Sequence, residues 1–428
     1  MTQEALDEAA TDRPATRRPV AGAERLVSLD LIRGIALLGI LFANIVDFGW
    51  PLQAYSWPLL IENPPDPADT AIWLFQLVFI DGKMRGLFTL LFGAGIMLFV
   101  ERNWARGGTR WLQARRLVLL MAFGLLHFLF LFWGDILLLY GMAGLVALLL
   151  VRWSPATQLR VGLLGYVAGG LMFALMYSVP MALERNQGAD LAAADAFAPL
   201  AAAWEARLAG AAQEAEVFAS ASYARQVAFV IAERGAILAQ SPTYALLETI
   251  PLMLIGMACY RFGLFGGGGL DPRRIRLWSW AGIAASAAVM LALGLWVTSR
   301  GWPPYLTEFV FWGASQIPRL PMILGFAGLL SLYASKLAES WSGERLVAAG
   351  RMAFSNYIGT SLVMMLVFRG WAGGLYGTLD RPGLLLVVLL GWLLILAWSK
   401  PWLARFRYGP LEWAWRCLTY GQLFPLRR

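Results

Sequence analysis

Charge is scarce in this chain. Asp, Glu, Lys and Arg make up 14% of 428 residues, against 59% hydrophobic and a mean hydropathy of +0.60. That balance excludes an ordinary soluble globular domain, where about a quarter of the residues are charged. Cysteine is nearly absent. Cys259 and Cys417 are too few for a disulfide framework, and their expected places in a span and in a cytoplasmic tail predict no bond between them. Histidine occurs once, at His127. One histidine without clustered cysteines cannot build a typical metal site, so no metal is expected. The glycine run 266–269 lacks the GxxxxGK[ST] pattern and reads as a flexible cytoplasmic turn rather than a phosphate cradle. No repeat relates the two halves of the chain.

What the sequence has is long apolar runs. They predict ten helices, at about 29–50, 76–100, 114–134, 136–152, 160–180, 244–263, 277–298, 318–335, 352–370 and 383–400. The expected class is all-α, a polytopic membrane helix bundle of about ten transmembrane helices with an extracytoplasmic helical insert. The 20 Trp, 24 Phe and 13 Tyr supply interfacial anchors. In the second run Asp81, Lys83 and Arg85 interrupt the apolar pattern. A surface or re-entrant helix is expected there, followed by a span from about Leu87.

Orientation follows from the loops. Arginines concentrate in 101–116, 152–160, 261–276, 336–351 and both tails, whereas 51–70 has neither Lys nor Arg and 299–315 has only Arg300. The positive-inside rule then puts both termini in the cytoplasm of a bacterial inner membrane protein. The same distribution explains the net charge of +8 without nucleic acid. Residues 1–24 lack periodicity and read as a disordered cytoplasmic tail. Residues 25–180 form a first five-span bundle and 241–428 a second with a cytoplasmic tail. The Ala-rich 181–240 is expected as two or three short extracytoplasmic helices.

The first span carries a polar stripe. In SLDLIRGIALLGILFANIVDFGW, Arg33 and Asn44 fall within about 20° of each other at ~100° per residue, with Asp30 and Asp47 within about 60° of that line. A charge at mid-depth costs ~2.5–3.5 kcal/mol or more, so this face is expected to line a protein interior or a wet cavity. Arg33 reads either as a phosphate or carboxylate clamp or as a snorkelling interfacial residue. Asn44 reads as a site residue or as an interhelical hydrogen bond, and Asp47 as a site residue or a helix end. Asp81, Lys83 and Arg85 read as a pore-facing site or an interfacial break.

His127 lies about 11 residues past Arg116, ~16 Å along the helix and near mid-depth. It reads as a general base or as a packing histidine. Asp135, two turns on, is expected at the extracytoplasmic end. Eight residues apart on one helix the two would not touch. Arg115 and Arg116 at the foot of that span read as anchors or as a landing site for an anionic cytosolic donor. Glu412 and Arg416 are spaced to pair on an amphipathic tail helix. FGAG at 92–95 reads as small-residue helix packing.

The blocks SLDLIRGIALLGILFANI, GLFTLLFGAGIM, ARRLVLLMAFGLLHFLFLFWGDILLLYGM, GRMAFSNYIGTSL and YGPLEWAWRCLTYG resemble the YeiB-like bacterial membrane proteins, whose C-terminal half is a domain of unknown function. The resemblance covers nearly all of 25–428 outside the insert. The first block also resembles the opening of heparan-α-glucosaminide N-acetyltransferase and its relatives in a transmembrane acyltransferase superfamily. Asp30, Arg33, Gly34 and Asn44 match that SLDxxRG…N helix. In those relatives an essential histidine follows the asparagine by about eleven residues. Here that position is Tyr55, so the role is absent or has passed to His127.

That resemblance implies transfer of an acyl group from cytosolic acyl-CoA, as co-substrate, to an envelope glycan or lipid acceptor. His127, Asn44 and Asp135 would be catalytic. Arg33, Arg115 and Arg116 would hold the donor, and Asp30, Asp47 and Arg85 would contact substrate. A second reading is a transporter or permease with a His127/Asp135 proton relay, and a third is a non-catalytic assembly factor in which the 181–240 insert is the important part. A homodimer is compatible with each.

Overall fold

The computed structural model describes residues 26–266 and 270–428, so the tail expected at 1–24 and the turn at 267–269 lie outside the described residues. The described chain is helical, and its only β-type pairing is an isolated bridge between Phe406 and Arg427. Among the described residues, eight helices are long and apolar enough to cross a membrane. They are α1 (Val27–Gly49), the broken helix Pro67–Trp104, α4 (Trp111–Phe130), α6 (Pro155–Asn186), Gly235–Arg261, α11 (Pro272–Ser299), α12 (Gln316–Ala338) and α15 (Arg381–Arg405). Two of the ten expected spans are shorter. One is α5 (Leu137–Leu149), of 13 residues. The other is α14 (Ala353–Phe368), which follows α13 (Trp341–Arg351) through an 88° bend.

The helices differ in what they face. In α1, 78% of the apolar window is buried inside the protein, against 28% in α6, α11 and α15. The first is therefore the central pillar, and the others turn leucines such as Leu386, Leu390 and Leu393 outward. This is the arrangement expected where lipid, not water, surrounds the bundle.

Glycines set the closest crossings. A Cβ at Gly34 would lie 2.1 Å from the carbonyl oxygen of Leu346, and one at Gly350 1.8 Å from that of Asp30. The backbones of α1 and α13 therefore touch. Gly93, in the FGAG run, and Gly256 make the equivalent contact at Met253 and Leu90, where a Cβ would sit 2.1 Å and 1.9 Å from the facing carbonyl oxygens. Backbone cannot move aside as a side chain does. Gly350→Ala is therefore expected to destabilise by at least ~1–3 kcal/mol, read as a lowered Tm in detergent. Gly359→Ala on α14, with open space around it, should be tolerated. Equal melting of the two variants would disprove the crossing.

The break between the two parts of the broken helix lies at Asp81–Gly82, ahead of Leu87. Helix α2 (Pro67–Phe75) already starts at Pro67, N-capped by Asp66, and a π turn at Gln76–Ile80 leads to a break at Asp81–Gly82. Helix α3 (Lys83–Trp104) continues from there. The break is internal: Asp81 and Lys83 are buried, Asp81 is bonded to Gln76 and to the Tyr55 hydroxyl, and Lys83 donates to the Leu77 carbonyl. The polar residues mark a kink satisfied by protein, the form in which irregular backbone survives at depth.

The insert is also longer in its elements than expected. Helix α6 runs on to Asn186, and α7 (Leu191–Ser220) spans 30 residues from an Asp190 cap. Then come α8 (Tyr223–Glu233) and α9 (Gly235–Tyr244). Alanine sustains the helix, and Trp204, Ala211, Glu214 and Phe218 form its buried stripe. The second half continues through a π turn into α10 (Ile250–Arg261) and ends in α16 (Pro410–Tyr420).

Candidate functional site: an arginine-mouthed cavity beside a buried histidine

A cavity of about 330 Å³ opens between the start of α1, α3, α4, the α13–α14 bend and α16. Its two ends differ. At one, Arg33, Arg102, Arg116, Arg351 and Arg416 contribute guanidinium groups, and Asp30 and Glu412 the carboxylates among the described lining residues. At the other, Phe88, Phe92, Leu137, Tyr140 and Tyr357 form an apolar end. Arg102 and Phe88 are both on α3, so the cavity extends about 20 Å along that helix at ~1.5 Å per residue.

The arginines are held rather than loose. Arg33 bonds Asp30 at 2.9 Å. The Arg116 guanidinium lies between the rings of Phe99 and Trp415, 4.3 and 4.4 Å from their centroids. Arg416 stacks on Tyr408 at 4.4 Å. Arg116 also donates from Nη1 to Gln113 Oε1 at 3.4 Å, so its planar fork is oriented by both stacking and hydrogen bonding. Arg115 is exposed and is not part of the lining. One residue turns a helix by ~100°, which separates the two neighbours.

Glu412 reaches from α16 to α14. It accepts from Phe354 N at 2.8 Å, Ser355 N at 3.1 Å and the Ser355 hydroxyl. It therefore caps the N-terminus of α14, where exposed N–H groups favour a carboxylate. Burial pushes the Glu412 carboxyl above its usual range, against the pull of these hydrogen bonds.

Behind Tyr357 lies His127, 1% exposed. Its Nδ1 is 2.8 Å from Asp135 Oδ1, and its Nε2 is 2.8 Å from Ser361 Oγ. The expectation that His127 and Asp135 would not touch fails because the helix does not continue. Helix α4 ends at Phe130, and the chain reverses through Phe132, Trp133 and Gly134. Asp135 then caps α5, its Oδ2 accepting from Leu138 N at 2.7 Å. Gly124 makes room for the return: a Cβ there would meet Leu138 N at 2.3 Å and Asp135 Oδ2 at 2.8 Å. Nor is Asp135 at an outer opening, since its side chain is 1% exposed. The WGD signal, a turn glycine before a helix-starting Asp, carries this in the sequence.

The remaining stripe residues divide among three places. Asp30 and Arg33 line the large cavity. Asn44 lines a separate void of about 10 Å³ with Ser361 and Tyr357. Asp47 is buried with Oδ1 unbonded, among Asp81, Glu214 and Arg234, the last two themselves an ion pair. Arg85 holds both oxygens of Glu248 at 2.6 and 2.7 Å and is not in the cavity lining. Sequence reasoning missed Tyr357 and Ser361, one turn apart on α14. A small hydroxyl inside an apolar helix was their only signal.

Comparison with known proteins gives a family and no activity. Residues 259–422 match the family model described as "Protein of unknown function (DUF418)". The chain is 32% identical over 400 residues to the uncharacterized protein YeiB of Escherichia coli (strain K12), covering 92% of this chain and 96% of that one. It is 27% identical to the uncharacterized protein YxaH of Bacillus subtilis (strain 168), across 96% and 98% of the two chains. No solved structure matches. The matched segment holds Arg351, Tyr357, Ser361, Glu412 and Arg416, whereas Arg33, Arg116, His127 and Asp135 precede it, so both halves build the site.

Proposed function

The chain belongs to the YeiB-like family, and we propose that it is a membrane acyltransferase that moves an acyl group from acyl-CoA to an envelope glycan or lipid. One observation carries this reading. A cavity with arginines at its mouth and aromatic rings at its inner end stops at Tyr357, whose ring centroid is 5.0 Å from that of His127. Clustered guanidiniums suit the phosphates of a donor, and an apolar wall suits an acyl chain. The volume lies within the usual ~300–1,000 Å³ of ligand pockets.

In this reading the arginine-rich end faces the cytoplasm of a bacterial inner membrane, with both termini on that side. Arg33 and Arg116 hold donor phosphates. Asp135, an acceptor only when ionised, keeps the proton on His127 Nδ1 and leaves Nε2 as the base. Asn44 orients the acceptor or stabilises the charge that develops on the carbonyl oxygen. The resemblance of SLDLIRG…N to acyltransferase openings supports the same assignment.

A transporter is the competing reading, favoured by the buried charges at Asp47, Asp81, Lys83 and Arg319. Comparing the acyl groups on envelope lipids and glycans of wild-type and deletion strains by mass spectrometry separates them. The acyltransferase reading expects a missing acylated species in the deletion. Identical profiles under conditions of expression, with loss of a proton-coupled uptake, would establish the transporter instead.

A further inference from the structure

We infer that Ser361 is the nucleophile of this site and carries the acyl group as an ester between donor and acceptor. The inference rests on the acyltransferase reading. Asp135, His127 and Ser361 are joined in series by two contacts of 2.8 Å each, one at either ring nitrogen. Asp135 fixes the proton on Nδ1, so Nε2 has a lone pair directed at the Ser361 hydroxyl. That is the order of carboxylate, imidazole and hydroxyl by which a neutral serine is activated. A histidine serving only as base toward a bound acceptor would present Nε2 to open space. Here a side chain from α14 occupies it.

The position of Ser361 fits a carrier. It is 2% exposed and borders the void shared with Asn44 and Tyr357. Tyr357 borders that void on one side and the arginine-mouthed cavity on the other. Its hydroxyl is held by long contacts only, 3.4 Å to Gly134 O and 3.3 Å from Ile136 N. Rotation of this one ring joins the two spaces. The surrounding burial keeps water from an ester formed there.

The chemistry balances without a further reagent. Ser361 Oγ attacks the thioester carbonyl carbon as its proton passes to His127 Nε2. The C–S bond breaks, and the thiolate leaves with that proton as the free thiol. An acceptor hydroxyl or amine then attacks the Ser361 ester, giving its proton to Nε2. The ester C–O bond breaks, and Ser361 Oγ recovers the proton. Asn44, facing the same void, is placed to donate to the carbonyl oxygen in both steps.

The test uses full-length protein in lipid nanodiscs incubated with acetyl-CoA and, separately, palmitoyl-CoA, followed by peptide mass spectrometry. A fluorophosphonate probe reports an activated serine independently of the donor. The expected result is an acyl or phosphonyl adduct on Ser361, lost in Ser361→Ala and reduced at least ~100-fold in rate in His127→Gln. Ser361→Cys, which preserves shape, should form an adduct released by neutral hydroxylamine, as thioesters are and oxygen esters are not. A purely structural serine would not change the chemistry of the adduct in this way. If Ser361→Ala folds and still restores the acylated envelope species to a deletion strain while His127→Gln does not, transfer is direct and Ser361 is not the carrier. That outcome overturns this inference and leaves the acyltransferase reading standing. Wild type that yields neither adduct nor acylated product overturns both.

Discussion

His127→Gln is expected to lower acyl transfer by about 100- to 10,000-fold while leaving the fold and the donor cavity in place. General-base catalysis contributes that much, and the ring removed is the one group that links Asp135 to the reacting end of the site. Glutamine is close in size and its amide offers a donor and an acceptor, so the contacts at Asp135 Oδ1 and Ser361 Oγ retain partners. What is lost is the ring nitrogen that would accept the proton of the attacking hydroxyl. Asp135→Asn should produce a loss of similar kind by a different route. An amide donates where the carboxylate accepted, favours the other tautomer, and puts the proton on Nε2 where the base is needed. The readout is the acylated envelope species in a deletion strain complemented with each variant, normalised to membrane-inserted protein. Full complementation by His127→Gln would remove the histidine from the chemistry and leave it as a packing residue. Loss of proton-coupled uptake with unchanged acylation would assign it to transport.

How far the sequence carries the site depends on distance along the chain. Fold class was legible because composition and apolar run length decide it. The eight long helices fall on expected runs, and the two shorter ones are those where the chain bends or reverses. The stripe on the first helix was legible in direction but not in depth. Arg33 and Asn44 point nearly the same way, yet eleven residues separate them by ~16 Å along the axis. The first therefore meets α13, α16 and the large cavity, and the second meets α14 and a small void. Periodicity reports angle, and what a residue touches at that angle is set by other elements.

The histidine shows a second limit. An eight-residue spacing keeps His127 and Asp135 apart only on an unbroken helix. The turn at Trp133–Gly134 brings them to 2.8 Å. Ser361, 234 residues beyond His127, and Tyr357 were out of reach of any local pattern. Arg85 and Asp47 belong to other buried clusters for the same reason: Glu248 and Glu214 come from remote helices. Tyr55 bonds Asp81 at 3.3 Å and belongs to the kink in the broken helix.

The arginine-rich end of the cavity yields the other large effect. Arg116→Gln with Arg416→Gln should weaken acyl-CoA binding by about 100- to 10,000-fold, since each charge-assisted hydrogen bond lost contributes ~1.5–3 kcal/mol. Glutamine puts a planar amide on a shorter apolar stem in place of the guanidiniums that stack on Phe99, Trp415 and Tyr408, so the variant should still insert. The residual binding should also respond less to salt, because fewer ion pairs remain to be screened. Arg115→Gln is the internal control. It removes the same charge one residue away, on an exposed face outside the cavity lining. A donor drawn by the cavity's own geometry should bind this variant within about fivefold of wild type, since exposed surface charges contribute ~0–1 kcal/mol. The measurement is saturable binding of radiolabelled acyl-CoA to purified protein over a range of ionic strengths. An equal loss in Arg115→Gln and in the double variant would reduce the effect to general surface attraction. No saturable binding by wild type at all would leave the arginine-mouthed cavity without an acyl-CoA donor.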